Sequence, residues 1–232
     1  MKPVTFVTSY LLIFSYHLYA QTDSSWTVKA SQEIKEAISP GVRFRYSEFV
    51  LGNVYFKDGT NSQAPLNLNL LNEEMQFINP GGDTLSIDNE GTIKYITINN
   101  DTFYYSKVYL ELVTSNPVMK IAKKQRLKIG DIKKIGGYEQ PSSVSAITSY
   151  TSIYNHSQVT NITPRAELLL VKETIYYIGN NYNRFLPANK KNLMRMFGKK
   201  EAVIENFLQE NKIRFNNEND LKMIIDFLQK IR

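Results

Sequence analysis

The chain contains two histidines, His17 and His156, and no cysteine. A serine, histidine and carboxylate set would have to use His156, in the polar stretch Tyr154-Asn155-His156-Ser157, and no Gly-x-Ser-x-Gly turn is present to expose a nucleophile. Thiolate chemistry, thiolate metal ligation and disulfides are excluded, and two imidazoles are too few for a histidine-rich metal centre. Carboxylates remain. Glu73, Glu74, Asp83 and Asp88 fall in one strand-and-turn region, and a carboxylate pair suffices to hydrolyse a glycosidic bond. Glu73 and Glu74 are adjacent, however, so a strand turns them to opposite faces, and Asp83 and Asp88 lack the spacing of a calcium loop. These carboxylates read as solvated turn charges. No catalytic, cofactor-binding or metal-ligating residue is assigned, and no cofactor is expected.

Charge offers a second kind of chemistry. Lys and Arg number 28 against 22 Asp and Glu, a formal net charge of +6. The densest basic run is Lys120, Lys123, Lys124, Arg126 and Lys128, continuing to Lys133 and Lys134. In a strand with Ile121, Leu127 and Ile129 turned inward, that run is a solvated face; its functional alternative is a patch for an anionic surface. The glycine pairs Gly81-Gly82 and Gly136-Gly137 lack the lysine and hydroxyl continuation of a phosphate loop and read as turns. Tyr104, Tyr105, Tyr109, Tyr150, Tyr154, Tyr176, Tyr177 and Tyr182 suit half-buried strand positions or a glycan- or protein-binding face. Asn100-Asp101-Thr102, Asn155-His156-Ser157 and Asn161-Ile162-Thr163 match the N-glycosylation pattern. Asp83-Thr84-Leu85 resembles a short O-glycosylation acceptor of Bacteroidota.

The elements that must position these residues begin after an export signal. Met1-Lys2 opens the chain, Val4 to Tyr16 is apolar and aromatic, and Ala20 offers a small residue for cleavage. Residues 1–20 are therefore expected to be a signal peptide that carries away His17, and 21–43 a leader with a short helix over Thr27 to Ser39 ended by Pro40-Gly41. Residues 44–186 read as an antiparallel β-rich domain. Lys57-Asp58-Gly59 marks a hairpin, and Leu66, Leu68 and Leu70 alternate with Asn67 and Asn69, placing leucines in the core and asparagines in water. Turn signals recurring every 8–12 residues or so suggest a sandwich, a barrel or a curled sheet. Within it, 136–164 is an irregular insertion, followed by two strands over Ala166 to Val171 and Thr174 to Ile178. Residues 187–232 form a helical tail: Asn189 caps a first helix stopped by Gly198, Val203, Ile204, Phe207 and Leu208 stripe a second, and Asn217 precedes a third carrying Leu221, Ile224, Ile225 and Leu228. The fold class is α+β, mainly β: an antiparallel meander followed by a small C-terminal three-helix segment.

Two stretches carry a resemblance. Gly52-Asn53-Val54-Tyr55-Phe56-Lys57-Asp58-Gly59 leads to Leu66-Asn67-Leu68-Asn69, and the end carries Tyr176-Tyr177, Lys190-Lys191, Leu193, Phe197, Phe207, Asn211-Lys212-Ile213 and Asp220-Leu221. In these the chain resembles uncharacterised exported proteins common in Bacteroidota, which implies a periplasmic or surface-associated location and no residue role. The expectation is a non-catalytic cell-envelope protein that binds another protein or a glycan, with no nucleic-acid partner and no integral span after signal removal. Its rivals are a carboxylate-dependent hydrolase of envelope polysaccharide and a binder of anionic lipid or lipopolysaccharide.

Overall fold

The structure, a computed structural model, describes residues 25–133 and 167–231. The expected signal peptide 1–20, the expected insertion 136–164 with Gly136-Gly137, His156, Tyr150, Tyr154 and the Asn155 and Asn161 pattern positions, and Lys134 lie outside the described residues. Eleven antiparallel strands form one sheet that is not closed into a barrel. In chain order they are β1 (Ser25–Val28), β2 (Val50–Phe56), β3 (Asn61–Asn69), β4 (Glu74–Ile78), β5 (Thr84–Ser86), β6 (Ile93–Ile98), β7 (Asp101–Tyr105), β8 (Tyr109–Ser115), β9 (Lys120–Lys133), β10 (Glu167–Gly179) and β11 (Phe185–Pro187). The spatial order is β1-β10-β9-β8-β7-β6-β2-β3-β4-β5, with β11 beside the far half of β10. Single helical turns α1 (Ile34–Ala37) and α2 (Pro40–Arg43) link β1 to β2, and α3 (Lys190–Phe197), α4 (Glu201–Glu210) and α5 (Glu218–Lys230) end the chain. None of the described helices is long and apolar enough to cross a membrane.

Local chemistry explains most boundaries. Gly59 takes φ +93° in the β2–β3 hairpin while Asp58 Oδ1 accepts from the Thr60 amide at 2.9 Å. Asn189 and Asn217 cap α3 and α5 by accepting from the amides of Asn192 and Asp220. The helix expected over Thr27 to Ser39 is instead a strand and a single turn. Pro40 does not end it but opens α2, because a proline forces the preceding Ser39 into extended geometry and suits the first helical position itself. The two strands expected after the insertion are one, β10. Lys172 and Glu173 interrupt its apolar run but stay in register with Leu127 and Arg126 of β9.

Strand alternation divides one face of the sheet into three zones. Tyr109 on β8, Leu127 on β9, and Leu168 and Leu170 on β10 belong to the larger core, which the curled sheet closes with Leu66, Leu68, Met75, Ile96, Ile98 and Phe103. Further along the same strands Ile121 and Ile178, with Met119 of the β8–β9 turn, form a second core with Leu193, Ile204, Leu208, Leu221, Ile224, Ile225 and Leu228 of the tail, so the helices pack on the sheet as well as on one another. Val203 is 53% exposed, outside the buried stripe assigned to it, because Ile204 and Leu208 take the inward positions. Between the two cores lies Glu111, paired in register with Lys123. A small cluster of Leu110, Ala122 and Phe185 occupies the opposite face.

The curl needs close backbone approach at Gly52, where an added Cβ would lie 2.6 Å from the Thr97 carbonyl oxygen and 2.9 Å from a Leu66 methyl. Gly52→Ala is expected to destabilise the chain by about 1–3 kcal/mol. Gly91→Ala, with nothing within 4 Å of the added carbon, should stay within about 0.5 kcal/mol of the parent. Urea unfolding of both variants checks the contrast, and equal midpoints would refute the placement of β2 against β6.

Candidate functional site

The basic run expected to form an anionic-surface patch is distributed by β9 over two faces. Lys123 lies 3.0 Å from Glu111 on the cored face. On the other face Lys124 meets Glu73 at 2.5 Å, Arg126 meets Glu173 at 2.6 Å and Glu73 at 3.5 Å, and Lys128 reaches Glu173 at 3.5 Å. Lys124 is only 8% exposed. Lys120 donates to Asn183 at 2.5 Å and to the Tyr104 hydroxyl at 3.2 Å, with its ammonium 4.7 Å from the centre of the Tyr104 ring. Each of the five is therefore partnered within the protein, and Lys128 is the most exposed of those in ion pairs.

The candidate hydrolytic carboxylates do not converge. Glu73 stands at φ +60° in the β3–β4 turn and is held by Lys124 and Arg126, whereas Glu74 accepts from the Ser86 hydroxyl at 2.7 Å. Asp83 accepts from the Asn79 side chain, and Asp88 from the Asn89 amide. All four are engaged within the protein. Among the described residues there is no group of three or more His, Cys, Asp or Glu able to hold a metal.

Asn67 and Asn69, placed in water by their alternation with leucines, are 1% and 3% exposed. The segment after α2 covers them. Asn67 accepts from the Tyr46 amide and donates to the carbonyls of Tyr46 and Glu48, and Asn69 accepts from the amides of Leu71 and Asn72. This anchors Arg45, whose guanidinium donates to both Glu111 oxygens at 2.7 and 3.1 Å and to Asp101 at 3.4 Å. Tyr46 donates to Asp101 at 2.7 Å. Burial alone would raise the Glu111 carboxyl, but hydrogen bonds from Arg45 and Lys123 outweigh it and hold the group below the ordinary range. Burial, and then the bond to Asp101, push Tyr46 far up. Burial, followed by the charges of Arg45 and Lys123, lowers Lys172. The result is a polar seam between two cores in which Glu111 and Asp101 are paired with Arg45 and Lys123.

An open site lies elsewhere. Val118, Asn180, Asn181, Tyr182, Arg184, Leu186, Arg195, Met196 and Phe197 line a groove of about 600 Å³ between the β10–β11 loop and the end of α3. Internal bonds define the loop: Asn180 Oδ1 accepts from the amides of Tyr182 and Arg184, Asn181 donates to the Pro117 carbonyl, and Asn183, at φ +58°, takes the Lys120 bond. Tyr182 is 84% exposed, unlike the half-buried Tyr104, Tyr105, Tyr176 and Tyr177 and the buried Tyr109. Val118, Leu186, Met196 and Phe197 are at least partly buried. The class that fold and site define is an open, curled antiparallel sheet buttressed by a helical tail, with an aromatic and cationic groove where sheet and tail meet. No protein-family model, no curated protein and no solved structure matches the chain.

The seam makes a pH prediction. Glu111 has a folded pKa below its ordinary value of 4.5, so the unfolded chain binds the proton more readily. Its contribution is therefore complete above about pH 4.5 and is lost as pH falls through the folded value. Glu111→Gln is expected to cost about 1–3 kcal/mol near neutrality. It should also narrow the stability difference between pH 6 and pH 3, as read from urea unfolding at each pH; an unchanged acid dependence would remove Glu111 from this role.

Proposed function

We propose that the chain is an exported, non-catalytic binding module of the cell envelope, acting through the groove between the β10–β11 loop and α3. The observation that carries this reading is the groove lining: apolar side chains, an exposed tyrosine and two arginines, with no carboxylate among them. Sites that hold a ligand without transforming it need apolar area and a few orienting polar groups, whereas glycoside hydrolysis needs two carboxylates on either side of the bond. Here Glu73, Glu74, Asp83 and Asp88 are bonded elsewhere and do not meet. The internal pairing of Lys123, Lys124, Arg126 and Lys128 weighs against an anionic-lipid surface, since those charges would have to leave their carboxylates to meet a headgroup. Export rests on the Met1 to Ala20 pattern, and the lack of cysteine agrees with a fold held by its core alone.

Incubated with isolated cell-envelope polysaccharide or envelope protein, the full chain is expected to retain one of them without releasing reducing ends or peptides. A variant combining Glu74→Gln, Asp83→Asn and Asp88→Asn should retain it equally. Release of reducing ends by the parent and its loss in that variant would replace the binding module with a hydrolase.

A further inference from the structure

Resting on that reading, we propose that the groove takes an anionic oligosaccharide, with Tyr182 as the stacking platform for a sugar ring and Arg184 and Arg195 as clamps for its acidic groups. The guanidinium groups of Arg184 and Arg195, the two cations of the groove lining, make no hydrogen bond or ion pair among the described residues. Both arginines are exposed. They stand on different elements, Arg184 at the close of the β10–β11 loop and Arg195 in the last turn of α3, so they address the groove from two sides. A guanidinium presents a planar fork of donors that matches a carboxylate or sulfate in two parallel bonds.

The rest of the lining favours a sugar as the bearer of that charge. An exposed tyrosine ring at the mouth of an apolar floor offers a flat face to the C–H side of a pyranose, and its phenol adds a donor and acceptor for hydroxyl groups. The loop that carries Tyr182 is tied at Asn180, Asn181 and Asn183, so the backbone beneath the ring is already fixed and only the side chain is left to order on binding. About 600 Å³ falls within the range of small-ligand clefts. An acidic peptide is less well served. The nearest strand, β11, is three residues long and ends at Pro187, which has no N–H to offer an added strand.

The test is calorimetric titration of the full chain with a uronic-acid trisaccharide, a neutral hexose trisaccharide and an acidic hexapeptide. The uronic-acid trisaccharide is expected to bind most tightly and to weaken as salt rises. Arg184→Gln and Arg195→Gln should each weaken it by about tenfold or more, since each removes charge-assisted bonds. Tyr182→Ala should weaken the acidic and neutral sugars alike. These side chains are exposed, so unchanged far-ultraviolet circular dichroism and melting temperature are expected in all three variants. Tighter binding of the hexapeptide overturns the sugar assignment, and so does the absence of binding by any probe. Equal binding of the two trisaccharides, lost in Tyr182→Ala, overturns the anionic assignment and leaves the binding module standing. Cleavage of the acidic trisaccharide overturns the module itself.

Discussion

The rest of the structure depends on a mismatch of length between neighbouring strands. β9 has fourteen residues and β8 only seven, and β8 pairs with β9 no further than Glu111 with Lys123, while Leu110 and Tyr109 pair with β7 alone, which leaves the middle of β9 with one edge open. Backbone donors left unpaired at a buried edge are costly. The sheet meets this by curling until the β3–β4 turn reaches that edge, where the Leu127 amide donates to the Leu70 carbonyl at 2.8 Å and Glu73 takes Lys124 and Arg126. One backbone bond and two ion pairs do not close a barrel, but they enclose Leu66, Leu68, Leu70 and Met75 against Leu127 and Leu168. The curl thus covers the edge of β9 that β8 leaves open.

The same excess length creates the polar seam. Strands as long as β9 and β10 extend past one core and start another, and where the first ends and the tail's begins the inward positions fall to Glu111 and Lys123. A carboxylate that is 5% exposed needs its charge met. Arg45 meets it, and it does so because the backbone around it is tied to β3: the Arg45 amide donates to the Leu68 carbonyl and the Leu70 amide to the Arg43 carbonyl. The buried Asn67 completes that attachment, while Asn69 fixes the turn that follows β3. Ion pair, strand edge and covering segment are therefore one device, placed where apolar packing gives out.

What could be read from the residues was what local physics decides. Gly59 with Asp58 makes its hairpin, Asn189 and Asn217 cap their helices, and Leu221, Ile224, Ile225 and Leu228 turn inward, all on grounds set within a few neighbours. What could not be read depends on contacts far along the chain. Asn67 and Asn69 look like the wet face of a half-buried strand until the segment after α2 lies over them. The lysines of β9 look free until Glu73, Glu111 and Glu173, from three other places in the sequence, arrive beside them. Tyr182, one of fifteen tyrosines, carries no local mark of exposure. A Gly-Asn-Asn-Tyr-Asn-Arg run signals a turn, and that signal could have singled out Tyr182 and Arg184, but not the approach of Arg195 and Phe197 from α3.

The location of unpaired charge bears on function more directly than its amount. A net charge of +6 was equally compatible with a broad cationic face and with a few placed arginines, and the ion pairs decide between them. The cations of β9 neutralise carboxylates of the neighbouring strands, Glu111 and Glu173, and the Glu73 that the curl brings in, so they belong to the stability of the sheet. Arg184 and Arg195 touch none of those carboxylates. They belong to the junction of sheet and tail, where Phe185 is packed against Gly179 and the adjoining loop is tied down by its own asparagines. A groove set on rigid elements, away from the ion pairs that hold the sheet curled, can vary its polar lining with little cost to the fold. For the binding module proposed, that separation would let specificity change while the scaffold stays the same.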